Sequence, residues 1–335
     1  MTRLAGLLGL AALAVSACAP VVVPTGPPTV APLLAEDHIR TNDGERLPLR
    51  RWRSENGPPR AVVVALHGFN DYSAAFDCPG RYWAARGITT YAYDQRGFGA
   101  TAEHGMWPGT ETLVADLDTV IALVAARHPG VPLYVVGESM GGAVAMAAMA
   151  RPHPPAIAGL VLAAPAVWGW RTMNPFYRAS LWLAAHVMPW ARVSGRGLGI
   201  KPSDNREMLK ALARDRLTIK ETRFDALYGL VDLMDAAYGA AERITVPTLF
   251  LYGAHDQLVP EGPIRDVLRR LRAPHRVALY PGGYHMLLRD LDAARVLGDV
   301  AAWIADPAAP LPSGFELTDP RRLARPGPAR GRQRG

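Results

Sequence analysis

Six short, largely apolar runs constrain this chain more than any other feature: residues 61–66 (AVVVAL), 89–93, 133–136, 160–163, 248–252 and 276–280. A strand with one wet face alternates apolar and polar residues, whereas a strand buried on both faces reads as a continuous run. Helical patterns fill the gaps at 74–86, 111–127, 139–150, 263–271 and 291–304. In 111–127, Leu113, Leu117, Val120, Ile121 and Val124 recur at steps of three and four and make one apolar stripe. Strands alternating with helices of this length predict an α/β fold, a mostly parallel sheet with helices on both faces. Asn42-Asp43-Gly44, inside 38–53, adds a hairpin, because Asp-Gly suits a tight turn between strands.

The rhythm fails in three places. Residues 167–245 hold no clear buried strand and read as a helical cap inserted into the folded domain of 36–305. Trp168, Trp170, Trp182 and Trp190 open it. They either pack the cap onto the sheet or, on the resemblance given below, line an acyl-chain tunnel or rest against lipid. The start, MTRLAGLLGLAALAVSAC, has a basic residue, an apolar run too short for a comfortable membrane span, then small residues. Its ending, Val15-Ser16-Ala17-Cys18, resembles a bacterial lipobox, which implies a lipoprotein signal peptide over 1–17 with Cys18 lipidated; an ordinary secretory signal or a buried helix is the alternative. The proline-rich stretch 18–35 then predicts an extended tether, its roughly fifteen extended residues spanning about 45 Å at ~3.1 Å per residue. The Pro-, Gly- and Arg-rich tail, 306–335, predicts disorder.

The formal charge of +7 invites a nucleic-acid reading, but Arg321, Arg322, Arg325, Arg330, Arg332 and Arg334 all fall in the tail. The remainder is close to neutral, so no nucleic-acid partner is expected. No metal-ligand cluster is visible and no cofactor is expected. Cys78, with no histidine of the candidate site assigned to it, reads as packing.

Chemistry enters at residues 136–143, VGESMGGA. Ser139 follows a strand and opens a helix, the context of a G-x-S-x-G nucleophile elbow. Gly137 and Gly141 flank it where side chains would collide with neighbouring elements. A serine hydroxyl needs a base, and the base an orienting acid. The expected chain order is serine, acid, histidine. Asp256 in LYGAHDQLVP and His285 in YPGGYHMLL each follow a strand and complete it. His255 points elsewhere if Asp256 points in, and His275 lies at the wrong end of its strand. The oxyanion donors are expected to be the backbone N–H groups of Met140 and Phe69, with His67 holding the Phe69 loop.

These motifs, with HGFNDYS and DQRGFGAT, resemble the α/β-hydrolases of the monoacylglycerol lipase and lysophospholipase type, the serine-aminopeptidase-like group. The resemblance implies the α/β-hydrolase fold with a cap before the acid-bearing strand. It carries the triad onto Ser139, Asp256 and His285 and the oxyanion amides onto Phe69 and Met140. It implies hydrolysis of single-acyl lipid esters, monoacylglycerols or lysophospholipids, through an acyl-enzyme. A small-ester carboxylesterase or a peptidase would use the same triad, and a catalytically silent lipoprotein scaffold is the non-enzymatic alternative. Asn70 departs from the glycine of many relatives. Expected partners are a small lipid or ester and a membrane, through the Cys18 anchor. The expected location is the bacterial cell envelope, and Ala19 after Cys18 favours the outer membrane.

Overall fold

The computed structural model describes residues 19–319 and Leu323; the expected signal peptide, Cys18 and most of the Arg-rich tail lie outside the described residues. Among the described residues nine strands form one sheet: β1 (Leu33–Leu34), β2 (His38–Arg40), β3 (Arg46–Trp52), β4 (Ala61–Leu66), β5 (Ile88–Tyr93), β6 (Leu133–Glu138), β7 (Gly159–Ala163), β10 (Thr248–Gly253) and β11 (His275–Tyr280). Their order is β1-β2-β3-β5-β4-β6-β7-β10-β11. The first three are antiparallel, with β2 and β3 closing the hairpin around Asn42-Asp43-Gly44. From β5 to β11 all neighbours are parallel.

The continuous apolar runs have the expected cause. Along β4, Val62, Val64 and Leu66 enter one core while Ala61, Val63 and Ala65 enter the other, and each is at most 2% exposed. The first core is covered by α2 (Thr110–Arg127), α3 (Met140–Met149) and α7 (Glu261–Arg270), the second by α1 (Asp77–Ala84) and α8 (Ala293–Ala305). Burying such a valine or leucine contributes about 1.5–3 kcal/mol. Arg96, from DQRGFGAT, is buried as a structural tie. Its Nε and Nη2 donate to the two Asp116 oxygens at 3.0 Å each, and its Nη1 donates to Asp43 at 2.8 Å.

Between β7 and β10 the chain builds the cap from α4 (Pro175–Val187), the strand pair β8 (Arg192–Val193) and β9 (Thr222–Arg223), α5 (Arg206–Arg214) and α6 (Phe224–Ala240). Helix α6 lies along α3 and so sits over the elbow helix. The cap tryptophans divide: Trp168 and Trp170 pack against the core, whereas Trp182 and Trp190 are 52% and 56% exposed. Neither single reading of the four holds.

Both flanks correct the sequence reading. Residues 22–34 do not form a free tether. Val23 N–H donates to Trp107 O, Thr25 N–H to Thr112 Oγ1, Gly26 N–H to Asp43, and Thr29 and Val30 N–H to Asn42 O. An extended strand of backbone finds partners on the domain surface, and composition alone does not reveal that they are there. Likewise, residues 306–319 are ordered. Leu279 N–H donates to Phe315 O and Leu317 N–H to Val277 O, so the segment covers the otherwise bare edge of β11. Arg276 pairs with Glu316, and Leu311 and Leu323 are buried at 4% exposure.

Candidate active site

In a parallel sheet all carboxyl ends share one edge, where ligands bind. Phe69 follows β4, Ser139 follows β6, Asp256 follows β10 and His285 follows β11, so the topology delivers all four to that edge. Ser139 has φ 53° and ψ −114°, outside the helical and extended regions. The strained turn is held by Ser139 N–H donating to Ala163 O at 2.9 Å and by Ser139 O accepting from Ala143 and Ala166 N–H at 3.0 Å each. Its glycines are steric necessities: a Cβ on Gly141 would stand 2.2 Å from Leu66 O, and one on Gly137 would stand 2.5 Å from Gly142 N.

His285 Nδ1–H donates to Asp256 Oδ2 at 2.8 Å. Asp256 Oδ1 accepts from the N–H groups of Leu258 at 2.8 Å and Val259 at 3.0 Å. The carboxylate is wholly buried with both oxygens used, so its orientation is fixed by the loop itself. This bond places the imidazole proton on Nδ1 and leaves the Nε2 lone pair for a base. Among the described residues Ser139 Oγ makes no hydrogen bond to protein, so the serine–imidazole contact is open; such contacts often tighten only with substrate bound.

The amide of Met140 opens α3, where intrahelical bonding leaves N–H groups free. That of Phe69 makes no hydrogen bond among the described residues. Its loop is set by His67, which is fully buried. His67 Nδ1–H donates to Gly68 O at 2.8 Å, and Nε2 accepts Gln95 N–H at 3.0 Å. Burial holds the His67 imidazole below its ordinary pKa, so it remains neutral. His255 is exposed against Tyr284, and His275 opens β11 at the opposite edge; neither reaches the site. Cys78 is exposed, and free among the described residues, which corrects its reading as packing.

Asn70 resolves its own departure. It sits at φ 65°, the left-handed region that glycine enters freely and asparagine tolerates. Its backbone carbonyl accepts Ile219 N–H, and its Nδ2 donates to Thr222 Oγ1 at 2.7 Å, so the side chain that replaces glycine adds a tie from this loop to the cap.

Two features escaped the sequence reading. The cap segment 202–205 grips the His285 loop: Pro202 O accepts Met286 N–H, Ser203 Oγ donates to Asp290 at 2.6 Å, and Asn205 Nδ2 donates to Arg289 O at 3.0 Å. Beneath the site, Arg289 faces Asp71 and Glu138, a cluster scattered over 219 residues of chain with no local motif to mark it. A cleft of about 700 Å³ lies in the cap, lined by Trp170, Arg178, Trp182, Tyr228 and Asp232, away from Ser139 and His285. Among the described residues no cluster suits a metal ion, and no helix is long and apolar enough to cross a membrane.

A family model described as Hydrolase_4, serine aminopeptidase S33, matches residues 57–292. The monoacylglycerol lipase of Mycolicibacterium smegmatis is 27% identical over 274 residues, covering 78% of this chain and 93% of that protein. Human monoglyceride lipase is 24% identical, covering 80% and 89%. A soluble variant of Saccharomyces cerevisiae monoglyceride lipase, solved with a substrate analogue, superposes with a TM-score of 0.68 at 20% identity, covering 85% of this chain and 97% of that one. By its matched residues, strand order and elbow, this chain is a hydrolase of the serine aminopeptidase S33 family with the α/β-hydrolase fold.

Proposed function

We propose that the chain is a serine hydrolase cleaving carboxylic esters of single-acyl lipids, monoacylglycerols before lysophospholipids. The observation that carries this reading is the buried Asp256–His285 pair on the edge that presents the strained Ser139. His285 Nε2 takes the proton of Ser139 Oγ as the hydroxyl attacks the ester carbonyl. The oxyanion is met by the Phe69 and Met140 N–H groups, each donor being worth about 3 kcal/mol in comparable sites. Collapse passes the proton from His285 to the departing glycerol oxygen and leaves an acyl-Ser139. Water, deprotonated by His285, then releases the fatty acid and restores the serine.

The lipid class is supported by the names of the similar proteins and by the cap surface. Phe176, Trp182, Leu183, Trp190 and Leu198 are all more than half exposed, an arrangement that suits an interface with lipid. Lipidation at Cys18 would hold this surface at the membrane of the cell envelope. The test is fatty-acid release by the detergent-solubilised full chain and its Ser139→Ala variant, on monoacylglycerol, lysophospholipid, short esters and aminoacyl amides. Serine-dependent release from monoacylglycerol is expected. Serine-dependent turnover of short esters or amides alone would retain the triad and discard the lipid reading.

A further inference from the structure

The mechanism above leaves three buried charges unused, directly beneath the residues it employs. Arg289 closes the short helical turn Leu287–Arg289 that follows His285. Its Nη2 lies 2.6 Å from Asp71 Oδ2 and 3.0 Å from Glu138 Oε2, and all three side chains are at most 9% exposed. Asp71 stands two residues after Phe69, and Glu138 immediately precedes Ser139. One nitrogen therefore joins the oxyanion loop, the nucleophile elbow and the histidine loop.

The sheet cannot do this. In the order β4-β6-β7-β10-β11, two strands separate the strand before Ser139 from the strand before His285, and a third separates the latter from the strand before Phe69. Backbone ladders fix neighbours, so a small slide of the β11 loop against the elbow is not resisted by direct pairing. Stability is a poor account of the cluster. Two carboxylates share one guanidinium, among the described residues Asp71 Oδ2, Glu138 Oε1 and Arg289 Nε are buried without a well-aligned hydrogen bond, and a buried ion group of this kind is often no more stable than apolar packing. Burial pushes the Glu138 carboxyl up, against the pull of Arg289.

We infer that Arg289 is a positioning residue which, through Asp71 and Glu138, fixes His285 relative to Ser139 and the Phe69 amide. The inference rests on the serine-esterase reading. Because a single nitrogen serves both carboxylates, it is the placed positive charge that matters, and a lysine should supply most of it.

The experiment measures kcat and KM on p-nitrophenyl butyrate, with thermal midpoints, for the full chain and its Ser139→Ala, Arg289→Met, Arg289→Lys and Glu138→Gln variants. Arg289→Met is expected to lower kcat about 100-fold, the loss typical of a misplacement near 1 Å, with KM changed less than about threefold. Arg289→Lys is expected to restore kcat to within about tenfold of the parent, and Glu138→Gln, which keeps an acceptor and loses the charge, to lower it by about tenfold. Parental kcat in Arg289→Met overturns the inference, and so does a folded Arg289→Lys as slow as Arg289→Met. Should Arg289→Met not fold, parental kcat in both Arg289→Lys and Glu138→Gln overturns it. Parental turnover in Ser139→Ala would instead sink the serine-esterase reading, leaving a distinguishable result.

Discussion

The carboxyl edge of the sheet and the cap above it use the same apolar residue types to opposite ends. In the sheet layers Trp83, Trp107 and Trp303 are at most 2% exposed, whereas in the cap Trp182 and Trp190 stand more than half in solvent. Helix α5 contributes no buried residue at all. The sheet edge is finished within the chain: its acid has every oxygen satisfied and its glycines have backbone against them. The cap is unfinished: among the described residues nothing covers its exposed apolar face. Substitutions at the edge should therefore change chemistry or folding, and those on the exposed face of the cap only the choice of substrate.

The largest expected effect is at Ser139. Ser139→Ala should reduce ester turnover by about 10⁴-fold or more, as loss of a serine nucleophile does, with no fall in thermal midpoint. A fluorophosphonate label that still attached to the variant would break the assignment. Next comes the elbow's packing. Gly141→Ala drives a methyl group into the Leu66 carbonyl, with no side chain able to yield, and should destabilise by about 3 kcal/mol or more in chemical denaturation.

What was legible in the sequence follows the same division. Strands β4, β6, β7 and β10 declared themselves because burial on both faces leaves little room for polar residues, and β11 by its shorter apolar run 277–280. Ser139, Asp256 and His285 could be nominated because each follows such a strand, and the structure brings Asp256 and His285 together. Arg289, Asp71 and Glu138 could not be: their meeting depends on three loops folding together, and charge at long separation has no period. The segments 22–34 and 306–319 were misread for a related reason. Proline and glycine predict an extended backbone, but whether it meets water or a sheet edge is decided by the surface it crosses. Truncation after residue 305 should thus uncover β11 and lose Leu311 and Leu323 from the core, at about 1.5–3 kcal/mol each. A truncated chain with unchanged midpoint and no added aggregation would restore the disordered tail.

The cap side of the comparison is sharpened by a double substitution, Trp182→Ser with Trp190→Ser. Both rings are exposed, so the thermal midpoint should hold, and turnover of a water-soluble ester should stay within about twofold. On emulsified monoacylglycerol the rate should fall about tenfold, the loss expected when two interfacial aromatics are removed. An equal fall on both substrates would place these rings in the chemistry and remove the distinction between edge and cap.

The smallest effect is a slope with pH, and it belongs to the edge. His67 is neutral in the fold because its Nε2 must accept from Gln95 and its surroundings exclude a charge. In the unfolded chain the same ring takes a proton near pH 6.5. The unfolded state therefore binds more protons as the pH falls below that value, so the stability linked to His67 is complete above about pH 6.5 and is lost progressively below it. One proton sets the limit at about 1.4 kcal/mol per pH unit. Thermal midpoints between pH 7.5 and 5.5 should show this decline in the parent and a shallower one in His67→Gln, which keeps an acceptor for Gln95 but cannot take the proton. Parallel slopes would mean that the ring is protonated in the fold. It would then donate to Gly68 while abandoning Gln95, and the loop that presents the Phe69 amide would need another support.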